Sequence, residues 1–310
     1  MSVATATRPE STAATFSPRW LADRLSGGVI HVVVIGLTVA WIVPTVGLLV
    51  TSFRSSSDIA NTGWWTALSP PFKYTLDNYS SVLSAGTSNL ATGFLNSFMI
   101  SIPATLIPVT VAAFAAYAFA WMKFPGRDWI FLALVGLLAV PLQLTFIPVT
   151  TEFVKLGITP DKLTAAGLPP YLGLWLAHAG YGLPFSIYLL SNFFRALPSD
   201  LFESAEIDGA GMLTVFFRIV LPLSVPALAS LIIFQFLWVW NDLLVALIYV
   251  GGTASVAPIT VTLVNLVGSY GQNYQVLTAA AFFSMIVPLV VFLSLQRYFV
   301  RGILAGSVKG

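Results

Sequence analysis

Six long apolar blocks dominate the 310-residue sequence and direct it towards a membrane-spanning fold. A helix that crosses a bilayer needs about 20 residues, and every block is at least that long. Interior prolines are compatible with such helices, because packed neighbours re-satisfy the freed backbone groups. We therefore predict an all-α polytopic membrane protein with six transmembrane helices, near Gly28–Thr51, Gly93–Trp121, Trp129–Val149, Tyr171–Phe194, Pro226–Val250 and Leu277–Phe299.

The composition agrees with this prediction and excludes other classes. The chain is 57% hydrophobic and 8% charged, whereas soluble proteins carry about a quarter charged residues. Most of the surface is therefore expected to face membrane lipid. The net charge of +2 is too small for a nucleic-acid-binding surface. Cysteine is absent, and the two histidines, His31 and His178, are far apart in sequence, so no metal site is expected.

The basic residues predict the orientation. If the N-terminus is cytoplasmic, ten of the 14 Lys and Arg residues lie on that side and four on the other. Cytoplasmic loops carry the excess of positive charge in membrane proteins. We predict a multi-pass protein of the inner (plasma) membrane with both termini in the cytoplasm. The four residues on the other side are Arg54, Lys73, Lys155 and Lys162.

Three segments outside the predicted spans have distinct compositions. Residues 1–27 form a predicted cytoplasmic tail, in which Thr15–Leu25 suits either a short interfacial helix or a disordered segment. The external segment 53–91 is polar and long enough for a small folded cap. The external segment 251–275 carries no charge but is mildly apolar, which is typical of either a re-entrant hairpin or a surface for a partner protein.

The cytoplasmic loop 195–222 contains a predicted short helix. Asp200 is a candidate N-cap, and Glu203 would complete a variant capping box three residues later. Gly209 and Gly211 then favour a sharp exit from the helix. A helix of two turns is unstable alone, so it must pack against the spans and leave its outward face open to a partner. On these signals alone, an ordinary capped connecting loop fits equally well.

The spacing within this loop distinguishes the two interpretations. Glu203 precedes the small pair Ser204-Ala205, Gly209 follows, and Ile219, Leu221 and Pro222 come after a fixed interval. This pattern resembles the EAA signature of permease subunits of binding-protein-dependent ATP-binding-cassette (ABC) importers. Ser204 stands where that family has alanine. The resemblance implies that the short helix is a coupling helix that docks into a cleft of the nucleotide-binding subunit.

Other short strings extend the resemblance over about residues 28–310 to the carbohydrate branch of the family. Within it, the chain is similar to MalG-like and alpha-glucoside permeases. The strings are Leu76-Asp77-Asn78-Tyr79, Leu95-Asn96-Ser97, Ala116-Tyr117-Ala118-Phe119-Ala120, Phe124-Pro125-Gly126, Leu183-Pro184-Phe185, Trp240-Asn241-Asp242, Gln296-Arg297-Tyr298-Phe299 and Val308-Lys309-Gly310.

This resemblance implies a type I ABC importer permease fold, in which transport and ATP hydrolysis are carried out by different subunits. The sequence has no G-x-x-x-x-G-K-[ST] motif to cradle nucleotide phosphates. We therefore expect no enzyme activity and no cofactor in this chain. The implied partners are a second, MalF-like permease subunit, a homodimeric ATPase that binds ATP and Mg²⁺, an extracytoplasmic sugar-binding protein and membrane lipid.

The resemblance also implies roles for two further segments. In the family, a similar C-terminal tail reaches the ATPase dimer interface, so within the cytoplasmic tail 300–310 we expect this contact from Ser307, Val308, Lys309 and Gly310. An external loop at the position of 251–275 enters the binding protein, which favours the partner-surface interpretation over the hairpin.

Polar groups inside the predicted spans are candidates for the sugar pathway, because they are costly to bury in a membrane. Sugars offer apolar ring faces and many hydroxyls, which suit aromatic, amide and carboxylate side chains. Hydrogen bonding between helices uses the same residue types. In the maltose-type family, the other permease subunit holds most of the sugar. The candidates are Asn96, Gln143, Tyr181, Gln235, Trp240, Asn241 and Asp242.

Two other functions are weighed against an importer. An ion-coupled secondary transporter predicts inverted repeats and broken helices around a midplane ion site, and the sequence pattern indicates neither. An intramembrane enzyme needs paired catalytic groups, whereas Asp242 stands alone. The importer is therefore the favoured hypothesis. The likeness to maltose and alpha-glucoside permeases implies an alpha-linked disaccharide or small oligosaccharide as the substrate.

Overall fold

The structure is a computed structural model of the chain, and it describes residues 18–83, 90–267 and 274–307. The described residues form fifteen α-helices and no strand, which confirms the all-α prediction. In chain order they are α1 (Pro18–Ser52), α2 (Ser56–Asn61), α3 (Asp77–Leu83), α4 (Leu90–Trp121), α5 (Arg127–Gly136), α6 (Gln143–Lys155), α7 (Pro160–Ala165), α8 (Leu172–Arg195), α9 (Ser199–Ile207), α10 (Met212–Val215), α11 (Leu221–Leu223), α12 (Val225–Trp240), α13 (Leu244–Tyr249), α14 (Ile259–Val267) and α15 (Tyr274–Ser307).

Three of the described helices are long and apolar enough to cross a membrane on their own. They are Gly28–Ser52 of α1, α4, and Tyr274–Gln296 of α15. Two bent helix pairs raise the number to five if each pair counts as one span. The fourth predicted span coincides with the 24-residue helix α8, which is not among these five. By length and composition the described chain thus has between three and five spans, and the predicted count of six is not established.

The third predicted span, Trp129–Val149, is not one helix. The chain ends α5 at Gly136, continues as a 3₁₀ turn over Leu137–Ala139, and starts α6 at an angle of 106°. The break lies at Pro141, which has no N–H and disfavours helical geometry in the residue before it. Val140 accordingly has an extended backbone, with φ −79° and ψ 119°.

The fifth predicted span, Pro226–Val250, is also interrupted. α12 ends at Trp240, and the shorter helix α13 begins only at Leu244. Between them, the Asp242 carboxylate accepts the backbone N–H groups of Val245 at 3.2 Å and Ala246 at 2.8 Å. These bonds start a new helix in the manner of an N-terminal cap. At the other end of α12, the chain bends by 74° from the helical segment Met212–Leu223.

The first described helix begins within the segment predicted as the N-terminal tail, 1–27. α1 runs without interruption from Pro18, so residues 18–25 are its first turns and not a separate helix or a disordered segment. The chain has no proline between Pro18 and Pro44 that would stop the helix. The described side chains of α1 are mostly exposed, with Trp41 85% accessible, as suits a helix that faces lipid or another subunit.

The core is organised around α4 and α8, which pack along each other and run in the same direction. The buried stripe of α4 is rich in Gly, Ala and Ser side chains, which let helices approach closely in membranes. Trp121 donates its indole N–H to the Phe194 carbonyl at 2.9 Å at one end of the pair. Trp175 donates to the Met99 carbonyl at 3.0 Å towards the other end. α12 lies against α4 and α15.

A folded cap lies between α1 and α4, as the sequence predicts for 53–91, over the described residues to Leu83. The Arg54 guanidinium is 3% exposed and donates to the carbonyls of Asp58 at 2.9 Å and Thr62 at 3.2 Å. The Asn78 amide donates to the carbonyls of Ser52 at 2.8 Å and of Arg54 at 2.9 Å. These bonds tie α2 and α3 to the end of α1.

The charge-free segment 251–275 packs largely on its own chain. Ser97 accepts the Ile259 backbone N–H at 2.8 Å, and Ile259 and Val261 are buried. The apolar character of the described part is therefore explained by contacts with α4 and α15. Only part of α14 remains outward, including Val264 with 47% exposure. Residues 268–273 lie outside the described ranges.

The buried Arg54 generates a test of the cap. Arg54→Met keeps the aliphatic length but leaves two partly buried carbonyls without their charged donor, which lowers the stability of the cap by about 2 kcal/mol. If local opening controls cleavage, limited proteolysis within 53–83 becomes about thirtyfold faster. Lys73→Met, at an exposed position of the same cap, is the matched control. Equal cleavage rates in both variants would contradict the structural role of Arg54.

Candidate functional site

The short helix predicted within 195–222 is present as α9, at the end of the bundle that is predicted to be cytoplasmic. The predicted cap was wrong, because the helix begins at Ser199 and the N-cap position is Pro198. No side chain of the described residues caps its first turn, so the capping box of Asp200 and Glu203 does not form. Asp200 instead lies in the first turn, where a carboxylate stabilises the helix dipole.

The exit from α9 confirms one of the two predicted glycine turns. Gly209 has φ +71°, a left-handed conformation that glycine adopts without a steric penalty. Its N–H bonds to the Glu206 carbonyl at 3.0 Å, and the Ala210 N–H bonds to the Ala205 carbonyl at 2.9 Å. This pair of bonds is a Schellman motif. Gly211 has an ordinary extended backbone, with φ −70°, and precedes α10.

α9 is held by one face and exposes the other. The Phe202 ring stacks on Trp121, with ring centroids 3.5 Å apart and planes at 17°. Ala205, one turn later, is 6% exposed and joins a cluster with Phe194 and Phe216. This packing gives a short helix the stability that it lacks alone. The outward residues include Glu203, Ser204, Glu206 and Ile207.

The segment after α9 returns to the membrane through an irregular helix. Phe216–Val220 forms a π-helical turn, in which the Leu221 N–H bonds to the Phe216 carbonyl. Such turns occur mostly as single insertions in α-helices, frequently at functional sites. Ile219 and Leu221 are half-buried against the cluster that holds Ala205. Pro222 is exposed.

The signature residues thus divide into two groups. Ala205, Ile219 and Leu221 pack into one cluster and position the helix, whereas the remaining members point outward or shape the exit. Sequence reasoning missed the apolar part of the outward surface. Its signal was the presence of large apolar side chains in a loop outside the membrane. The exposed residues are Ile207 at 86%, Met212 at 62% and Leu213 at 66%.

Asn96, the first pathway candidate, has a structural role in the fold. Its amide group donates to the carbonyls of Ser255 at 3.1 Å and Ala257 at 3.0 Å. Its carbonyl oxygen accepts the Tyr171 hydroxyl at 2.8 Å. The side chain is 7% exposed, and all its polar groups are engaged. Asn96 therefore joins α4, α8 and the segment before α14.

Three further candidates do not meet in one site. Trp240 is 2% exposed, lies among Phe94, Phe98 and Phe236, and donates to the Ser284 carbonyl at 3.3 Å. Gln143 and Asn241 are exposed. The Asn241 amide donates to the Leu237 carbonyl of its own helix at 2.8 Å.

Asp242 is mostly buried beside His178. Besides capping α13, its carboxylate lies 3.7 Å from His178 Nε2, which is beyond a hydrogen bond. Neither His178 nitrogen has a hydrogen-bond partner among the described residues. The fully buried ring instead meets Trp238 edge to face at 5.3 Å. The described residues contain no group of three potential metal ligands.

Tyr181 and Gln235 are brought together by a cavity of about 390 Å³ between α8, α12 and the break in α5–α6. The Tyr181 hydroxyl lies 2.8 Å from the Tyr249 hydroxyl and 2.9 Å from the Thr145 hydroxyl. Gln235 is 4% exposed, and its amide nitrogen has no partner among the described residues. Uncharged residues alone line the cavity within the described chain.

The architecture defines a class of protein before any sequence comparison. Apolar helices of membrane-spanning length carry a short exposed helix at one end, which is the arrangement of a helical membrane protein with a surface open to a partner. The fold matches a chain of a bacterial ABC transporter involved in the import of the acidic polysaccharide alginate. The TM-score is 0.76 at 19% identity, over 93% of this chain and 100% of that one. This likeness establishes the fold.

The sequence comparison identifies the family. Residues 109–305 match the family described as binding-protein-dependent transport system inner membrane component. The chain belongs to this family and is a permease component of an ABC importer. It is a multi-pass membrane protein.

Two relatives show how far the similarity extends. The osmoprotective compounds uptake permease protein GgtD of Synechocystis sp. is 55% identical over 283 residues, covering 90% of this chain and 91% of that protein. The alpha-glucoside transport system permease protein AglG of Rhizobium meliloti is 51% identical over 247 residues. That match covers 80% of this chain and 63% of AglG.

The engaged amide of Asn96 generates a test of its structural role. Asn96→Leu leaves two carbonyls and a tyrosine hydroxyl unpaired. We expect this loss to lower the free energy of unfolding by about 3 kcal/mol in total. We expect a lower thermal unfolding midpoint in detergent and normal transport per folded complex. Asn241→Leu, which removes only a bond within its own helix, is the control and leaves the midpoint unchanged. An unchanged midpoint for Asn96→Leu would show that its bonds do not stabilise the fold.

Proposed function

We propose that this chain is the permease subunit of a sugar importer and moves its substrate by alternating access, coupled to ATP hydrolysis in a separate subunit. The observation that carries the coupling is α9, a helix held by Phe202 and Ala205 with its opposite face exposed. An ion-coupled transporter is the alternative. The broken helices that it predicts are present here, but membership of the importer family outweighs that feature.

The ATPase is proposed to bind the outward surface of α9 and α10. This surface combines the exposed acids Glu203 and Glu206 with the apolar residues Ile207, Met212 and Leu213. Large apolar side chains exposed outside lipid mark protein contacts. The full sequence has no phosphate-binding loop motif, so a homodimeric partner would bind ATP and Mg²⁺. This assigns the ATPase activity to that partner and leaves the permease chain without catalysis.

The subunits of ABC importers of this family suggest further partners. A second, MalF-like permease subunit would complete the pathway, and an extracytoplasmic sugar-binding protein would deliver the sugar. The outward part of 251–275, including Val264, is the proposed contact for the binding protein. With both termini in the cytoplasm, Ser307 at the end of α15 would lead the tail to the ATPase. Val308, Lys309 and Gly310 lie outside the described residues.

The proposed substrate is an alpha-linked disaccharide or small oligosaccharide. The support is the name of AglG, an alpha-glucoside permease at 51% identity. GgtD, at 55% identity, is named for osmoprotective compounds, which makes these the second candidate class. An uncharged cavity lining favours neutral polyhydroxylated solutes over charged ones, because a buried charge without a partner is costly.

A panel of labelled solutes tests this substrate class. The complete complex with its binding protein is reconstituted in vesicles, and ATP-dependent uptake is measured for maltose, trehalose, cellobiose and glycine betaine. We expect uptake of at least one alpha-linked sugar, with little uptake of beta-linked cellobiose or zwitterionic betaine. Uptake of betaine alone would overturn the sugar assignment, and uptake driven by an ion gradient without ATP would favour the secondary transporter.

The left-handed turn at Gly209 generates a test of coupling. Gly209→Asp places a residue with a Cβ at φ +71°, which costs about 1 kcal/mol of backbone strain. The new Cβ would meet no other atom within 4 Å, so no steric clash is expected. We expect an inserted, assembled subunit that no longer supports transport-coupled ATP hydrolysis. Gly211→Asp adds the same charge at an unstrained, open position and is the control. Wild-type sugar import by Gly209→Asp would refute the coupling role.

A further inference from the structure

We propose that the cavity at Gln235, Tyr181 and Trp238 is a contact site for the transported sugar, so that this subunit holds part of the substrate itself. The inference rests on the proposed sugar-importer function. The sequence resemblance points the other way, because it assigns most of the sugar contact to the second permease subunit. The cavity therefore adds a site that the family membership does not supply.

The first observation is the unpaired amide of Gln235. The side chain is 4% exposed, yet its Nε2 atom has no hydrogen-bond partner among the described residues. Burial of a hydrogen-bond donor without a partner is unfavourable. Apolar residues of similar size would be the stable choice at this depth. An amide kept in this position suits a donor that is satisfied only when a ligand is present.

The second observation is that the neighbouring helix leaves room for this amide. Gly182 of α8 lies so close that a Cβ there would stand 2.4 Å from Gln235 Nε2 and 2.8 Å from its Oε1. Any larger residue would therefore displace the amide. The glycine and the glutamine are matched across the α8–α12 contact, and both line the cavity.

The third observation is the remaining wall of the cavity. The break between α5 and α6 contributes Val140 and Leu142. Irregular backbone at membrane depth is tolerated where it is buried in protein or lines a water-filled cavity. Trp238 and Tyr181 add aromatic surfaces. The volume of about 390 Å³ is within the range of small-molecule sites.

The chemistry of these groups selects the ligand class. A sugar presents hydroxyls that accept from an amide N–H and apolar ring faces that pack on aromatic rings. An ion would require charged or multiple carbonyl ligands, and the described lining has no charged side chain. A lipid chain would satisfy the aromatic wall but leave the amide unpaired. A neutral polyhydroxylated ligand satisfies both features.

The test uses the complete complex, with Gln235→Met as the first variant. Methionine keeps the unbranched shape and removes the amide. Labelled sugar is trapped in the complex with the binding protein and an ATPase variant that binds but does not hydrolyse ATP. We expect retained sugar to fall about tenfold, the effect of one lost hydrogen bond, while the thermal midpoint stays the same or rises. Gln296→Met, at an exposed position of α15, is the matched control.

A second variant, Gly182→Ala, displaces the Gln235 amide without removing it, and we expect it to lower sugar retention as well. Wild-type retention in both variants would overturn the proposal. A lower midpoint with unchanged retention in Gln235→Met would assign the amide to a structural contact, such as one with the second permease subunit. If the wild-type complex retains no sugar, the proposed function fails and not the cavity alone.

Discussion

Inside a membrane, every backbone N–H and C=O must find a partner within the protein, and the interrupted helices of this structure depend on that constraint. Each described interruption meets it locally. At Pro141, the break falls on a residue that has no N–H to satisfy. At Ser224, the N–H reaches both the Val220 carbonyl at 3.0 Å and the Leu221 carbonyl at 3.1 Å. At Asp242, a carboxylate takes the first N–H groups of α13. The chain can therefore leave helical geometry at these positions. The break at Pro141 borders the cavity, and the bend at Ser224 follows the segment after α9.

The same constraint explains how the helix α8 connects the cavity with the region around α9. α8 is continuous from Leu172 to Arg195, and its backbone bonds are internal except at Pro184, which has no N–H to donate to the Gly180 carbonyl. Gly182 faces the cavity, and Phe194 packs in the same cluster as Ala205 of α9. The two residues are twelve positions apart, which corresponds to about 18 Å of helix. Rigid elements of this type carry coupling between sites, and the small side chains of α4 pack closely along this one. A displacement at α9 thus acts on a helix that also forms the cavity wall.

Sequence reasoning succeeded where a signal was carried by length or spacing. The apolar blocks predicted the helical bundle, and the interval from Glu203 to Pro222 predicted the segment that contains α9. It failed where one pattern has two physical solutions. A proline within an apolar run, as at Pro141, is compatible with a kinked helix or a break, and tertiary packing decides between them.

The apolar residues near Val261 indicated burial, but the pattern does not specify whether the covering surface belongs to a partner or to the same chain. The cap at Asp200 failed because the helix begins at Ser199 and its N-cap is Pro198, two residues before Asp200, a shift that propensity alone does not resolve.

The polar residues of the membrane region show why sequence alone could not rank the pathway candidates. Asn96 and Gln235 are both buried amides, and residue type treats them alike. Their surroundings differ, because Asn96 has three partners and Gln235 Nε2 has none among the described residues. His178 also has unpaired nitrogens, but its nearest acidic neighbour, Asp242, lies 3.7 Å away, and it is not among the residues that line the cavity. The cost of an unpaired buried group applies to Gln235 and His178 but not to Asn96, since a donor without a partner destabilises the fold wherever it lies. Gln235 alone combines that cost with an adjacent cavity and a glycine that makes room for the amide. The unpaired amide of Gln235 therefore indicates a ligand contact, whereas the paired amide of Asn96 is part of the scaffold. Sequence patterns rank the two residues equally.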